Sequence, residues 1–547
     1  MQFSIIYRLL GIPLTLSVLL FAKVPVDISF FNTLPKSISK DYYIYRFLNE
    51  NNVSSHDASQ LLGEAKVINL KLFRAFAKRI DDPGFKKVAT CLRYKTDTLL
   101  KKDTECIAIG LSVRNAMRLK KEEIQKLAQK LKSYKDINTT LNILASPDVF
   151  KAALSDKKAF IKIFTSCGAK NRSKVFNQPL KAKDIKALSQ EKSFNRVIEL
   201  IMTQRNLKNL QASLLEVRTN QNFNANTLFF LGLNALEYHK KELALSLFAR
   251  ASKKYYYRFD KDKTLFWSYL TTNKDQYLTQ LMKSFDVNIY TIYAHEVRAK
   301  KFDNIKSPQI DAKAKDYDIE NPFLWVNLLR QIKDKNATQI DEIAQLYKHK
   351  NTIGQYAFLE ERAFGTKYNY FPMPFYQYLK AYNNKRIALI LSIARQESRF
   401  IPASISTSYA LGMMQFMPFL ARATASQEAI KDFDIDAMFK PLVAYKFANH
   451  HLDYLSKHLH NPLFIAYAYN GGIGFVRRML ATKNYFRNGA YEPYLSMELI
   501  PYAQSRRYGK KVLANYIIYS QLLGGKMSFK NSSESLMIPH DTVQSQN

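Results

Sequence analysis

The sequence predicts an all-α protein: a long N-terminal helical solenoid followed by a second α-rich domain. Three observations lead there. Gly and Pro are scarce, 16 and 17 of 547 residues, which disfavours turn-rich sheets. Long stretches such as ASQLLGEAKVINLKLFRAFAKRI (58–80) and NRVIELIMTQRNLKNLQASLLEVR (195–218) carry apolar residues at helical spacing without a proline. One stretch, LFFLGLNALEYHKKELALSLFARA (228–251), has the key positions of a repeat-type helix pair. The composition is 47% hydrophobic and 13% aromatic, that of a globular chain, and the length calls for more than one domain.

Taken in order, residues 1–22 read as a signal peptide. Arg8 is the only early charge, and an uncharged run follows from Leu9 to Ala22, too short to span a bilayer comfortably. Ala22 can end the signal, although Leu20 is large for the −3 position; an uncleaved anchor is the alternative. Residues 23–320 read as the solenoid. In its tetratricopeptide-like pair, Leu228, Leu231, Gly232, Ala244, Phe248 and Ala251 fall at the repeat's positions, with Gly232 allowing close approach of Ala244 and Phe248. The polar stretch 301–325 and GTKYNYFPMPF (365–375) break the helical pattern. They bound a helical linker region, 321–370, and an α-rich domain, 371–526. Residues 527–547 read as a mobile tail. Cys91 and Cys106 either pair or stay free, and Cys167 is left over. The net charge of +36, spread over the chain, favours polyanionic partners. The export segment and the absence of a nucleic-acid motif argue against nucleic acid.

Chemistry concentrates after residue 370. In IALILSIARQESRF (387–400) seven of the first eight residues are apolar. Ile390, Ile393, Ala394 and Glu397 share one helix face, so Glu397 is carried to the rim of a core. Burial raises a carboxyl pKa, and a glutamate protonated near neutral pH can act as a general acid. In SYALGMMQFMP, Gln415 sits among Met413, Met414, Phe416 and Met417, an amide in an apolar wall suited to a neutral polar ligand. In FIAYAYNGGIGF, Tyr467, Tyr469 and Asn470 precede Gly471 and Gly472. His451 and His458 share a helix face, but no HExxH motif or nearby carboxylate completes a metal set, and neither metal nor cofactor is expected.

The segments ARQESRF, GMMQFMP, AYNGG and LIPYAQSRRY occur in the order and spacing of the soluble lytic murein transglycosylases, and the chain resembles that family over 387–519. The resemblance implies a lysozyme-like fold for 371–526 and a superhelical N-terminal region. It implies cleavage of the β-1,4 bond between N-acetylmuramic acid and N-acetylglucosamine in peptidoglycan, leaving a 1,6-anhydromuramic acid end, for cell-wall turnover in the periplasm. By the same carry-over Glu397 is the single catalytic acid/base, followed by Ser398. Ser406, Met413, Gln415, Met417, Tyr469 and Asn470 are the substrate contacts. Glycan strands are the implied partner, with other cell-wall enzymes meeting the solenoid and no membrane span left after signal cleavage. The sequence departs from the family at Leu411, His451, Tyr502 and Gln504, the last in place of a glutamate. The competing readings are a lysozyme-type hydrolase, which needs a second carboxylate, and a non-catalytic wall-binding scaffold.

Overall fold

The structure is a computed structural model that describes residues 27–50, 52–217, 220–310, 313–365 and 367–537. The expected signal segment, 1–22, and residues 538–547 of the expected tail lie outside them. The all-α expectation is borne out. Among the described residues, strand pairing is confined to a parallel pair, Ile305–Lys306 with Asn369–Tyr370, and two isolated bridges at Leu411. The chain divides into two compact units that meet at Asp82 and Pro83.

In the first unit the run expected to be helical over 58–80 is broken. Helices Ser55–Glu64 and Leu70–Ala77 flank an extended stretch. The buried Asp41 carboxylate accepts from the backbone N–H groups of Lys66 and Val67, satisfying donors a continuous helix would have used internally. Asn69 then caps the second helix, accepting from Lys71 N and Leu72 N.

In the second unit, helices Ala225–Glu237 and Lys241–Lys254 form the pair expected from the repeat signature. A Cβ at Gly232 would stand 2.5 Å from the Phe248 ring, so this contact requires glycine. Cys91 and Cys106 are joined in a disulfide, and Cys167 is buried and free. The run expected to be helical over 195–218 is interrupted at Arg205, which ends helix Phe194–Gln204 in the left-handed conformation. Its buried guanidinium reaches Glu492 at 2.8 Å and the Ser496 hydroxyl at 2.9 Å.

Arg205 is one of several long-range pairs. Arg506 meets Glu199 at 2.6 Å and Arg507 meets Asp260 at 2.9 Å. Lys510 and the Tyr290 hydroxyl converge on the buried Glu498 carboxylate. The expected limits at 320 and 370 therefore fall inside the second unit, where residues from both sides share buried contacts. Residues 527–537 depart from the mobile tail expected of them. Phe529–Glu534 is a helix, Phe529 is fully buried, and Glu296 accepts from the backbone N–H groups of Phe529 and Lys530.

Two helices organise the C-terminal part. Asn384–Ser398 packs along Ala503–Leu522, which also packs against Pro462–Gly471. A Cβ at Gly509 would fall 2.1 Å from the Tyr467 ring, so glycine sets how closely the last two helices approach.

Candidate active site

Asn383 caps the Asn384–Ser398 helix, its side chain accepting from Arg386 N. Ile390, Ile393 and Ala394 are all 0% exposed, and Glu397 follows them on the same face, half-buried at the helix end. Glu397 Oε1 accepts a hydrogen bond from the Tyr508 hydroxyl at 2.8 Å. Burial pushes the Glu397 carboxyl up to about 7; the Tyr508 bond opposes this, because it favours the charged form. No neighbouring charge enters. The glutamate is thus held near the midpoint of its titration at neutral pH, where it can both give and take a proton.

The helix stops abruptly beyond it. Arg399 and Phe400 both adopt left-handed backbone, with φ of 57° and 64°. Tyr409 and Gln415, at 64° and 50°, do the same in the facing loop. Each such non-glycine residue costs of order 1–3 kcal/mol, and their gathering around Glu397 is the pattern of strain held at functional sites. Ser398 ties the two pieces together. Its hydroxyl donates to Met413 O at 2.8 Å and accepts from Ile401 N at 3.1 Å. Gly412 allows the loop to turn: its φ is 75°, and a Cβ there would lie 2.1 Å from Met438 O.

The other sequence-expected contacts take different roles. Gln415 donates its amide nitrogen to Gly412 O at 2.8 Å and Ser404 O at 3.1 Å, leaving its carbonyl oxygen as the acceptor for a ligand. Ser406 Oγ accepts from Ala410 N at 2.9 Å, so its oxygen fastens its own turn while its proton stays available to donate. Met417 is half-buried at the start of helix Pro418–Gln427. Tyr469 donates to Met414 O at 2.9 Å, and its ring packs on Phe416 and His451, with centroids at 6.3 and 5.6 Å. Asn470 Oδ1 accepts from the Ser505 hydroxyl at 2.8 Å. Met413 does not fit the role expected of it. Its side chain is 0% exposed, and its carbonyl is taken by Ser398, so it builds the wall from behind.

Sequence reasoning missed Tyr508 as the partner of Glu397. It lies at the end of LIPYAQSRRY but is 111 residues from Glu397, and only the packing of the two helices joins them. Of the departures, Gln504 is exposed, and burial drives the His451 imidazole down to about 4, so this histidine is neutral.

A second catalytic carboxylate would have to come from the acidic residues around the site. Glu361 is clasped by Arg395 at 2.8 Å and Arg399 at 3.1 Å. Glu428 pairs with Lys446 and His450, both at 2.8 Å. Asp434 caps the turn Ile435–Phe439 that contains Asp436, Asp432 is exposed, and Asp453 pairs with Arg386 at 2.9 Å. None of the pairs involves Glu397. No group of three or more His, Cys, Asp or Glu side chains among the described residues could hold a metal ion.

Residues 374–490 match the family described as Transglycosylase SLT domain. The soluble lytic murein transglycosylase of Escherichia coli K12 is 28% identical over 218 residues, covering 38% of this chain and 33% of that protein. Its namesake from Salmonella typhimurium LT2 is 32% identical over 146 residues, covering 26% of this chain and 22% of that protein. The matched stretch thus spans about a third or less of these relatives. The crystal structure of the 70-kDa soluble lytic transglycosylase of Escherichia coli aligns over 91% of this chain and 88% of its own, at 18% identity and a TM-score of 0.48.

Proposed function

We propose that this chain, whose residues 374–490 match the transglycosylase SLT domain, is a peptidoglycan lytic transglycosylase with Glu397 as its one acid and base. The observation that carries this is Glu397 itself: a half-buried carboxyl pushed up to about 7 and bound by Tyr508, while Glu361, Glu428 and Asp453 are held in ion pairs with other partners.

The steps follow from that group. Protonated Glu397 gives its proton to the glycosidic oxygen as the bond to C1 of N-acetylmuramic acid breaks, releasing N-acetylglucosamine with a free 4-hydroxyl. The substrate's own N-acetyl oxygen supports the positive charge at C1, the part a nucleophilic carboxylate plays in two-carboxylate enzymes. The Glu397 carboxylate then removes the proton from the C6 hydroxyl of the same sugar, and O6 closes on C1. The product is a 1,6-anhydro sugar, no water is consumed, and Glu397 is again protonated.

Gln415 Oε1, the Ser406 hydroxyl and Asn470 supply the polar contacts to the N-acetyl and hydroxyl groups, with Met417 and Tyr469 as apolar wall. Turnover of the cell wall in the periplasm is the setting this reaction implies. The Leu9–Ala22 run and the Cys91–Cys106 disulfide support export, since disulfides persist in oxidising compartments. The net charge of +36 suits a polymer bearing peptide carboxylates. The test is turnover of purified sacculi by Glu397→Gln. General acid catalysis contributes roughly 100- to 10,000-fold per proton transfer, and one residue serves two transfers. Near-normal turnover by the variant overturns the proposal.

A further inference from the structure

Against the Asn384–Ser398 helix, lined by its Arg395 and Gln396 and by Arg399 at its end, lies a cavity of about 210 Å³. Helix Arg258–Thr272, the loop before Ile289–Val297, helix Ile353–Ala363, Asn369 and helix Ala503–Leu522 also line it. Five cationic side chains line it: Arg258, Arg395, Arg399, Arg507 and Lys511. The lining carboxylates are Asp286 and Glu361.

Four of the cations are spoken for. Arg395 and Arg399 share Glu361, Arg258 holds Asp262 at 2.9 Å, and Arg507 holds Asp260 at 2.9 Å. Lys511 is the exception. It is half-buried and makes no hydrogen bond or ion pair among the described residues. Asp286 attracts it without reaching ion-pair contact, and the Asp286 carboxylate is already bonded by Asn288 Nδ2 at 3.0 Å. Burial and the Arg507 and Arg399 charges push the Lys511 ammonium down to about 8, the mark of a cation short of an anion.

We propose that this cavity is an anion site, taking one small oxyanion of the phosphate or carboxylate class. A fixed array of guanidinium and ammonium donors matches an acceptor-only ligand. The volume is below the roughly 300–1,000 Å³ of pockets that hold drug-sized ligands, which fits a small ion or the end group of a peptide. The occupant bridges residues from both sides of 320 and 370, and it neutralises Lys511 beside the helix that carries Glu397. It does not touch the reacting groups.

The experiment uses the full chain and calorimetric titration with inorganic phosphate, against chloride at matched ionic strength. A single saturable phosphate site is expected. Lys511→Met weakens it by about tenfold or more, the value of one charge-assisted hydrogen bond, while Lys385→Met, at an exposed lysine, leaves it unchanged. A second arm compares an acetylated dipeptide carboxylate with its amide. Tighter binding of the carboxylate than of phosphate assigns the site to peptide ends; binding of phosphate alone assigns it to the free ion. Absence of saturable binding by either anion, or equal weakening by the two substitutions, overturns the proposal. If Lys511→Met does not fold, the wild-type chain with ¹³C-methylated lysines decides by NMR. Phosphate should raise the Lys511 titration midpoint, and an unmoved midpoint refutes the site.

Discussion

Replacing Glu397 by Gln should make the protein more stable at alkaline pH while abolishing turnover. The magnitude comes from burial. The Glu397 carboxyl stands at about 7 against an ordinary value of 4.5, and at 1.36 kcal/mol per unit that is about 3 kcal/mol. The sign follows from which state holds the proton. Between pH 4.5 and about 7 the folded chain keeps a proton that the unfolded chain has lost. Stability from this group is therefore complete below 4.5 and drains away as pH rises through about 7, where the buried carboxylate must ionise. Glutamine has the same shape, can still accept from Tyr508, and never ionises. Urea unfolding of both proteins at pH 4 and pH 8, followed by circular dichroism, reads the effect as a difference of differences, in which the other titrating groups cancel. The stability of Glu397→Gln relative to wild type should rise by up to about 3 kcal/mol between the two pH values. An equal difference at both would show that Glu397 is solvated in the folded protein, and the reasoning that makes it a general acid would fail.

Tyr508→Phe removes the hydrogen bond that favours ionised Glu397, so the alkaline limb of the pH profile of kcat/KM should move up by roughly one unit. A limb that stays in place would separate Tyr508 from Glu397. Gly412→Ala must fit a Cβ 2.1 Å from Met438 O at a φ of 75°, and should cost about 2 kcal/mol or more in denaturant unfolding. Arg205→Met leaves Glu492, whose side chain is 2% exposed, without its buried cation; the expected loss is roughly 3–5 kcal/mol by the same measurement.

What the sequence disclosed and what it withheld divide along the distance over which each interaction acts. The burial of Ile390, Ile393 and Ala394 beside Glu397 is a matter of helical period, and it was readable directly. So was the fit of Gly232 against Phe248, because the repeat signature spans both. Helix breaks near Lys66 and at Arg205 were not readable. Asp41 draws the Lys66 and Val67 donors out of the helix, and Arg205 is turned toward Glu492, 287 residues away. Met413 shows the opposite limit. Motif matching named both Met413 and Met417 as contacts, and only the packing of the loop separates them, with Met413 at 0% exposed and Met417 half-buried. Tyr508 was in view within its motif, yet its role exists only because helix Ala503–Leu522 lies along Asn384–Ser398. The pairing of Cys91 with Cys106, left open by spacing, is set by helices Pro83–Cys91 and Thr104–Gly110 lying side by side.

The most direct test of the central claim is the source of the oxygen at C1 of the product. Purified sacculi are digested with the wild-type protein in ¹⁸O-labelled water, and the released muropeptides are weighed by mass spectrometry. A single carboxyl that moves a proton twice closes the sugar on its own C6 hydroxyl, so the muramic acid ends should be anhydro and carry no label. Incorporation of ¹⁸O at C1 would establish attack by water. Water would then have taken the place of the C6 hydroxyl, contradicting the intramolecular closure assigned to the second step.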